Sequence, residues 1–254
     1  VSKALPQVKI LGQPVNLSSD YLAWIEDRLE RGIGTHVITM NAEIVMQANQ
    51  NPVLAEILQQ ADLITADGAG IVLALSWHGI PQTKCAGVEL GEALLRLANN
   101  NGDRYPVFFY GGKPEIVTKA AQNWQNELPN LRIVGVENGY LSPQEREELK
   151  QKLLATQPKI ILVAMGVPRQ EIWIRDHRHL CPDALWVGVG GSFDVWSGAK
   201  KRAPKIYQKL NLEWLYRFAQ EPSRWKRMLA LPQFALLALL ERLTAGKSRD
   251  RLSN

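Results

Sequence analysis

The run Ile160-Ile161-Leu162-Val163-Ala164-Met165-Gly166-Val167-Pro168-Arg169-Gln170-Glu171 sets five apolar residues ahead of a glycine turn and a proline-led polar segment. A strand that is apolar at every position is covered on both faces, as central strands of parallel sheets are. Glycine suits the turn, and Pro with Glu close behind suits the first turn of a helix. The run therefore predicts strand, turn and helix. Arg169 is unusual at such a place, because a cation opposes the positive end of the helix dipole, and it hints at an anionic partner. Gln170 can hydrogen-bond a sugar or a base, or can simply be solvated.

The same unit recurs on both sides of this run. Val107–Tyr110 leads through Gly111-Gly112-Lys113-Pro114 to a helix over 115–128, and Arg132–Val136 leads through Ser142-Pro143 to one over 144–155. Further upstream, His36–Thr39 precedes a helix over 42–49. Leu63–Thr65 leads through Asp67-Gly68-Ala69-Gly70 to one over 71–78. Downstream, Leu185–Val189 leads to Gly190-Gly191-Ser192. Ahead of all these, Val8–Val15 reads as two short strands about a Gly-Gln-Pro turn, with a capped helix reaching Arg31. Strands alternating with helices predict an α/β fold, a Rossmann-like and mainly parallel sheet flanked by helices. Past Pro204 the strand signals vanish. The expected division is an α/β core over 1–199 and a basic, helical C-terminal appendage over 200–254.

Charge follows the same division. The chain of 254 residues has a formal net charge of +5. Residues 200–254 hold 13 Lys/Arg against 4 Asp/Glu, whereas residues 1–199 hold 17 against 21. An acidic body with a basic tail is a clue to partners. The apolar and charged fractions, 46% and 22%, exclude wholesale disorder. Cys85 and Cys181 lie far apart without partners at metal-ligand spacing, so neither a disulfide framework nor a zinc site is expected. The N-terminus shows no secretory pattern. The longest apolar run, Phe234–Leu240, is far short of the roughly 20 residues a spanning helix needs. A cytoplasmic protein is the expectation.

In open α/β sheets ligands bind beyond the C-terminal ends of the strands. Three loops there are glycine-rich: Gly111-Gly112, Gly166, and Gly188–Gly191 including Gly190 and Gly191. Exposed N–H groups in such loops can hold a phosphate, and glycine there can equally serve chain geometry alone. Neither G-x-G-x-x-G nor G-x-x-x-x-G-K-[ST] occurs at these turns, so a nucleotide or diphosphate is expected without a dinucleotide or P-loop signature. Asp67 is placed either as a general base or as the cap of the following helix. Asp194 and Trp196 sit beside the glycine cluster, and Trp196 suits either ring stacking or the core. Arg202, Arg217, Arg224 and Arg227 form a cluster able to grip phosphate bidentately, or a solvated basic face. No Asp-x-Asp occurs. A diphosphate would then be neutralised by Arg and backbone N–H rather than by a metal, and no metal or other cofactor is expected.

Taken in order, several motifs resemble the WecG/TagA/CpsF glycosyltransferases. They are Thr39-Met40-Asn41, Ala66-Asp67-Gly68, Ala86-Gly87-Val88-Glu89, Phe109-Tyr110-Gly111-Gly112, Gly135 with Gly139-Tyr140, and Met165 through Glu171. Gly188 through Asp194, Ser197-Gly198, Arg202-Ala203-Pro204 and Glu213-Trp214-Leu215-Tyr216-Arg217 complete the set. The resemblance covers Val8 to Arg227. It implies inverting, metal-independent transfer of an N-acetylmannosamine-type or related hexose from a UDP-sugar to a polyprenyl-diphosphate-linked acceptor in cell-surface polysaccharide synthesis. It also implies peripheral attachment to the inner face of the cell membrane through the appendage. On it, Asp67 matches the catalytic base, and Thr39, Asn41 and Gln170 match pocket residues. Lys84, Gly111, Gly112, Gly166, Arg169, Glu171, Gly190, Gly191 and Arg202 join them as expected substrate contacts. Arg217, Arg224 and Arg227 fall where appendage arginines complete the site.

The chain departs from the pattern at Met40, where the family has Pro, at Lys84, where it has Arg, and at Glu89, where it has Asp. In the appendage, Leu236, Leu239, Leu240 and Leu243 fall at helical spacing, and Trp225 lies among cations. Such a segment suits an anionic membrane surface, the protein's own body, or a second copy in a homo-oligomer. Two other readings fit less well. A nicotinamide-dependent oxidoreductase lacks its glycine fingerprint, and a nucleic-acid-binding role leaves the glycine-rich body idle, so no nucleic acid is expected.

Overall fold

The computed structural model describes residues 4–222 and 228–250. A hairpin comes first, β1 (Gln7–Ile10) pairing antiparallel with β2 (Gln13–Asn16). Its turn is Leu11-Gly12, both at positive φ, rather than Gly-Gln-Pro, and Pro14 lies inside β2. Then come α1 (Tyr21–Glu30), β3 (Thr35–Met40), α2 (Ala42–Ala48), α3 (Pro52–Gln60), β4 (Leu63–Ala66), α4 (Gly68–Trp77) and α5 (Gly87–Asn101). The body continues with β5 (Val107–Gly111), α6 (Pro114–Glu127), β6 (Ile133–Glu137), α7 (Pro143–Thr156), β7 (Ile160–Ala164), α8 (Arg169–His177), β8 (Leu185–Gly188) and α9 (Ser192–Trp196). The expected α/β order holds. Two helices, α3 and α5, add to those the sequence pattern predicts.

Six strands form one sheet in the order β4-β3-β8-β7-β5-β6, and every pairing in it is parallel. The chain builds β3 and β4, crosses over, and returns through the other half to place β8 beside β3. The crevice at that reversal is where ligands of such sheets bind. Side chains alternate across the sheet. Val37, Val187, Leu162 and Phe109 face a core with α1, α5, α6 and α9. Ile38, Met40 and Ile64 face α2, α3 and α4, while Phe108, Val163 and Trp186 face α7 and α8. Burial on both faces is what the all-apolar strand composition demands.

Local chemistry starts the helices. Asp20, Asn41 and Asn51 cap α1, α2 and α3 through side-chain oxygens, and Ser142 with Glu145 forms a full capping box on α7. Each cap satisfies N–H groups that the first turn leaves orphaned.

Beyond the body lie α10 (Lys205–Lys209), α11 (Glu213–Gln220) and α12 (Ala230–Asp250). The last is docked through Phe234, only 1% exposed, and Ala238, which join the core of α2 and α4. Gly70 makes room for it: a Cβ there would stand 3.4 Å from the Phe234 ring and 3.2 Å from Ala42 Cβ. On the hairpin, Leu11 N–H donates to Glu241 Oε2 at 3.0 Å, tying the two ends of the chain together. On its outer side α12 leaves Leu236, Leu239, Leu240 and Leu243 exposed. Among the described residues no helix is long and apolar enough to cross a membrane.

Candidate functional site

A cavity of about 620 Å³ opens over the C-terminal ends of β3, β4, β7 and β8, covered by α11 and α12. Thr39, Asn41, Asp67, Lys84, Gly166, Gln170, Gly190 and Gly191 all line it, so eight residues marked in the sequence meet on one wall. Gly111 and Gly112 do not line it. They end β5, which β7 separates from β8 and β3. There they serve chain geometry: Gly112 N–H donates to Ala164 O, and a Cβ on Gly111, at φ +115°, would collide with that same residue.

Asp67 sits at the cap position of α4 in extended conformation, yet its side chain makes no capping bond to that helix. Instead its Oδ2 accepts from Gly87 N–H at 3.2 Å, at the start of α5. The carboxylate is thus held on the cavity wall by a helix it does not precede. Gly87 has no room for a side chain, since a Cβ would lie 2.8 Å from Thr39 Oγ1. Asn41 uses its Oδ1 to accept from Ile44 N–H at 3.0 Å, which fixes it at the mouth of α2. Beside this group burial pushes the Cys85 thiol up to about 12.

Gln170 and Glu171 form a buried polar chain. Gln170 Oε1 accepts from Gly166 N–H at 3.1 Å and Gly190 N–H at 3.2 Å, and its Nε2 donates to Glu171 Oε1 at 2.7 Å. Glu171 Oε2 lies 2.8 Å from His36 Nε2, with both side chains almost fully buried. One amide therefore pins together the loops that follow β7 and β8. Gly188 is what admits it, since a Cβ there would stand 2.3 Å from Gln170 Nε2 and 2.5 Å from Glu171 Oε1. Glu171 does not line the cavity; it holds Gln170. Arg169 points away too, exposed, donating to Met165 O at 3.0 Å.

Ion pairs join the body to the appendage. Lys84 Nζ lies 2.6 Å from Glu213 Oε1 of α11, and Lys200 Nζ lies 3.1 Å from Asp194 and 2.6 Å from Glu221. Arg202 pairs with Glu89, outside the cavity lining. Trp196 belongs to the core with Phe109, Phe193 and Trp124. Glu213 and Trp214 also line the cavity; they belong to a motif that carries the family resemblance but are not among the expected substrate contacts. Arg224 and Arg227 lie outside the described residues, as does the side chain of Arg217. Among the described residues no group of three His, Cys, Asp or Glu side chains is placed to hold a metal ion.

Compared with known proteins, residues 8–248 match the family described as Glycosyl transferase WecG/TagA/CpsF. The chain is also 38% identical, over 220 residues, to an N-acetylglucosaminyldiphosphoundecaprenol N-acetyl-beta-D-mannosaminyltransferase of Bacillus spizizenii. That alignment covers 86% of this chain and 84% of the relative.

Proposed function

Since the chain belongs to the WecG/TagA/CpsF family and is a glycosyltransferase, we propose that it moves N-acetylmannosamine from a UDP-linked donor to a polyprenyl-diphosphate-linked N-acetylglucosamine. The observation that carries this reading is Asp67 on the wall of the cavity, within the matched region. The printed activity of the relative supplies the sugar and the acceptor.

In this reading Asp67 takes the proton from the acceptor hydroxyl as that oxygen attacks the anomeric carbon. The C–O bond to the UDP phosphate breaks in the same displacement, the anomeric centre inverts, and UDP leaves with the bonding pair. Asn41, held by Ile44 N–H of α2, and Thr39, set close against Gly87 of α5, shape the wall around the base. The leaving diphosphate is neutralised by Lys84 and by the appendage arginines 217, 224 and 227, in the role a divalent metal plays elsewhere. This metal-independent part of the reading rests on a sequence without Asp-x-Asp.

The exposed leucines of α12 extend the proposal to the membrane. Phe234 and Ala238 dock one side of the helix, while Leu236, at 59% exposed, and Leu243, at 56%, face outward with Leu239 and Leu240. An apolar stripe on a basic appendage suits the interface of an anionic bilayer on the cytoplasmic side, where a lipid-linked acceptor is presented.

The decisive experiment incubates the protein with UDP-N-acetylmannosamine and a polyprenyl-diphosphate N-acetylglucosamine acceptor, in EDTA and in magnesium. The expected result is a disaccharide lipid and equal UDP release in both. No product with this donor, but product with another UDP-hexose, would reject the mannosamine assignment. For the membrane, Leu236→Glu with Leu240→Glu is expected to abolish flotation with anionic liposomes. Unchanged flotation, or none by the parent protein, would remove this role.

A further inference from the structure

Among the described residues, the cavity that is to receive a diphosphate carries more carboxylates than cations. Its described charged side chains are the Lys84 ammonium and the carboxylates of Glu43, Asp67 and Glu213. Three of the backbone donors on its wall are already taken. The N–H groups of Gly166 and Gly190 are bonded to Gln170, and that of Gly87 is bonded to Asp67. Lys84 is therefore the cation that the described wall offers to an anion, and Glu213 already holds it at 2.6 Å. Both side chains of this pair are largely withdrawn from water, at 18% and 15% exposed.

The helix that brings Glu213 is fastened by charge rather than by a core. Among the described residues of α11 no apolar side chain is buried, and Trp214 and Leu215 are 38% and 41% exposed. Its ends are held by Lys84–Glu213 at the start and by Lys200–Glu221 just past the last turn. By contrast α12 is anchored by the fully buried Phe234. A helix fastened by ion pairs can leave when a stronger anion takes over the cation. A diphosphate carries more charge than a carboxylate, and both cannot sit against one ammonium without mutual repulsion.

We propose that Glu213 is a resident anion on Lys84, displaced by the diphosphate of the donor, so that filling the site frees the start of α11 from the body. This rests on the diphosphate-donor reading above. Site occupancy then governs where the segment carrying Arg217 lies, and an empty site keeps its one described wall cation covered.

The test is calorimetric titration of the full chain with inorganic diphosphate and with UDP, for the parent protein, Glu213→Gln, Lys84→Met and the double variant. Glu213→Gln is expected to bind both probes about 3- to 10-fold more tightly, the scale of one partly buried ion pair, and the gain should vanish in the Lys84→Met background. A tie that merely supports the site predicts the opposite sign, so unchanged or weaker binding in Glu213→Gln overturns the proposal. Hydrogen exchange gives a second readout. Amides of 213–216, at the start of α11, should exchange faster when UDP is added to the parent protein. In Lys84→Met they should exchange fast beforehand and not respond further. Parent amides that slow down or stay unchanged at saturating UDP also overturn it. Normal sugar transfer with no tightening in Glu213→Gln removes the displacement and leaves the donor reading intact. Tightened diphosphate binding with no transfer from any UDP-sugar does the reverse.

Discussion

Replacing Gln170 with leucine keeps most of the side-chain volume and deletes one amide that joins three groups. Gly166 N–H and Gly190 N–H each lose an acceptor, at 3.1 and 3.2 Å. Both border the cavity, where water can step in, so each loss costs about 1 kcal/mol. Glu171 Oε1 loses a donor at 2.7 Å in a fully buried setting, where a bond to a charged group is worth about 1.5–3 kcal/mol. Together Gln170→Leu should destabilise the fold by about 3.5–5 kcal/mol, which for a chain of this size lowers the melting temperature by roughly 7–20 °C. Scanning calorimetry measures this, with donor KM determined well below the transition. A melting temperature within about 1 °C of the parent, joined to a KM raised about tenfold, would refute the reasoning. Gln170 would then be a substrate contact and not the clamp between two loops.

Asp67→Asn should cut turnover by about 10²-fold or more if the carboxylate is the base; near-parental turnover would end that assignment. Phe234→Ala should cost about 3–5 kcal/mol of docking, seen as fast hydrogen exchange along 230–244 while the sheet stays protected. Protected amides there would show that the helix is held by something other than this ring. Burial pushes the Cys85 thiol to about 12 and the Cys181 thiol to about 11, so both should react slowly with a disulfide reagent at pH 8 and quickly in guanidinium. Raised folded values mean that stability from burying these thiols is full below the ordinary thiol value of 9.0 and is lost as pH climbs through 11 to 12. Rapid native labelling would contradict their burial.

What the sequence shows of this architecture depends on how local each signal is. The strand 160–164 and the helix after Pro168 are legible because burial on two faces and a proline-led turn leave marks in adjacent residues. The helix α3 also has a local mark, Asn51-Pro52, a cap and a first-turn proline. The helix α5 has no such cap: it opens on Ala86 and Gly87 without a capping bond. Its first N–H is satisfied by Asp67, twenty residues earlier, through a contact that exists only once β4 is in the sheet. The same holds at the site. Asp67, Thr39 and Asn41 can be placed at strand ends from spacing. That Gln170 grips Gly166 and Gly190 depends on β7 lying beside β8, and that Lys84 meets Glu213 depends on a contact 129 residues apart. Such pairings are made by topology, and no window along the chain contains both partners.

The seat of Phe234 has a consequence for how the chain is made. Its groove is built from α2 and α4, which are synthesised well over a hundred residues before the ring that fills it. Until then the nascent body carries an open apolar trough beside Gly70 and Ala42, and Leu11 has no Glu241 to meet. Closure of the trough therefore waits until residues 230–241 have been made. During translation that trough is the surface on which a holding chaperone would have to act.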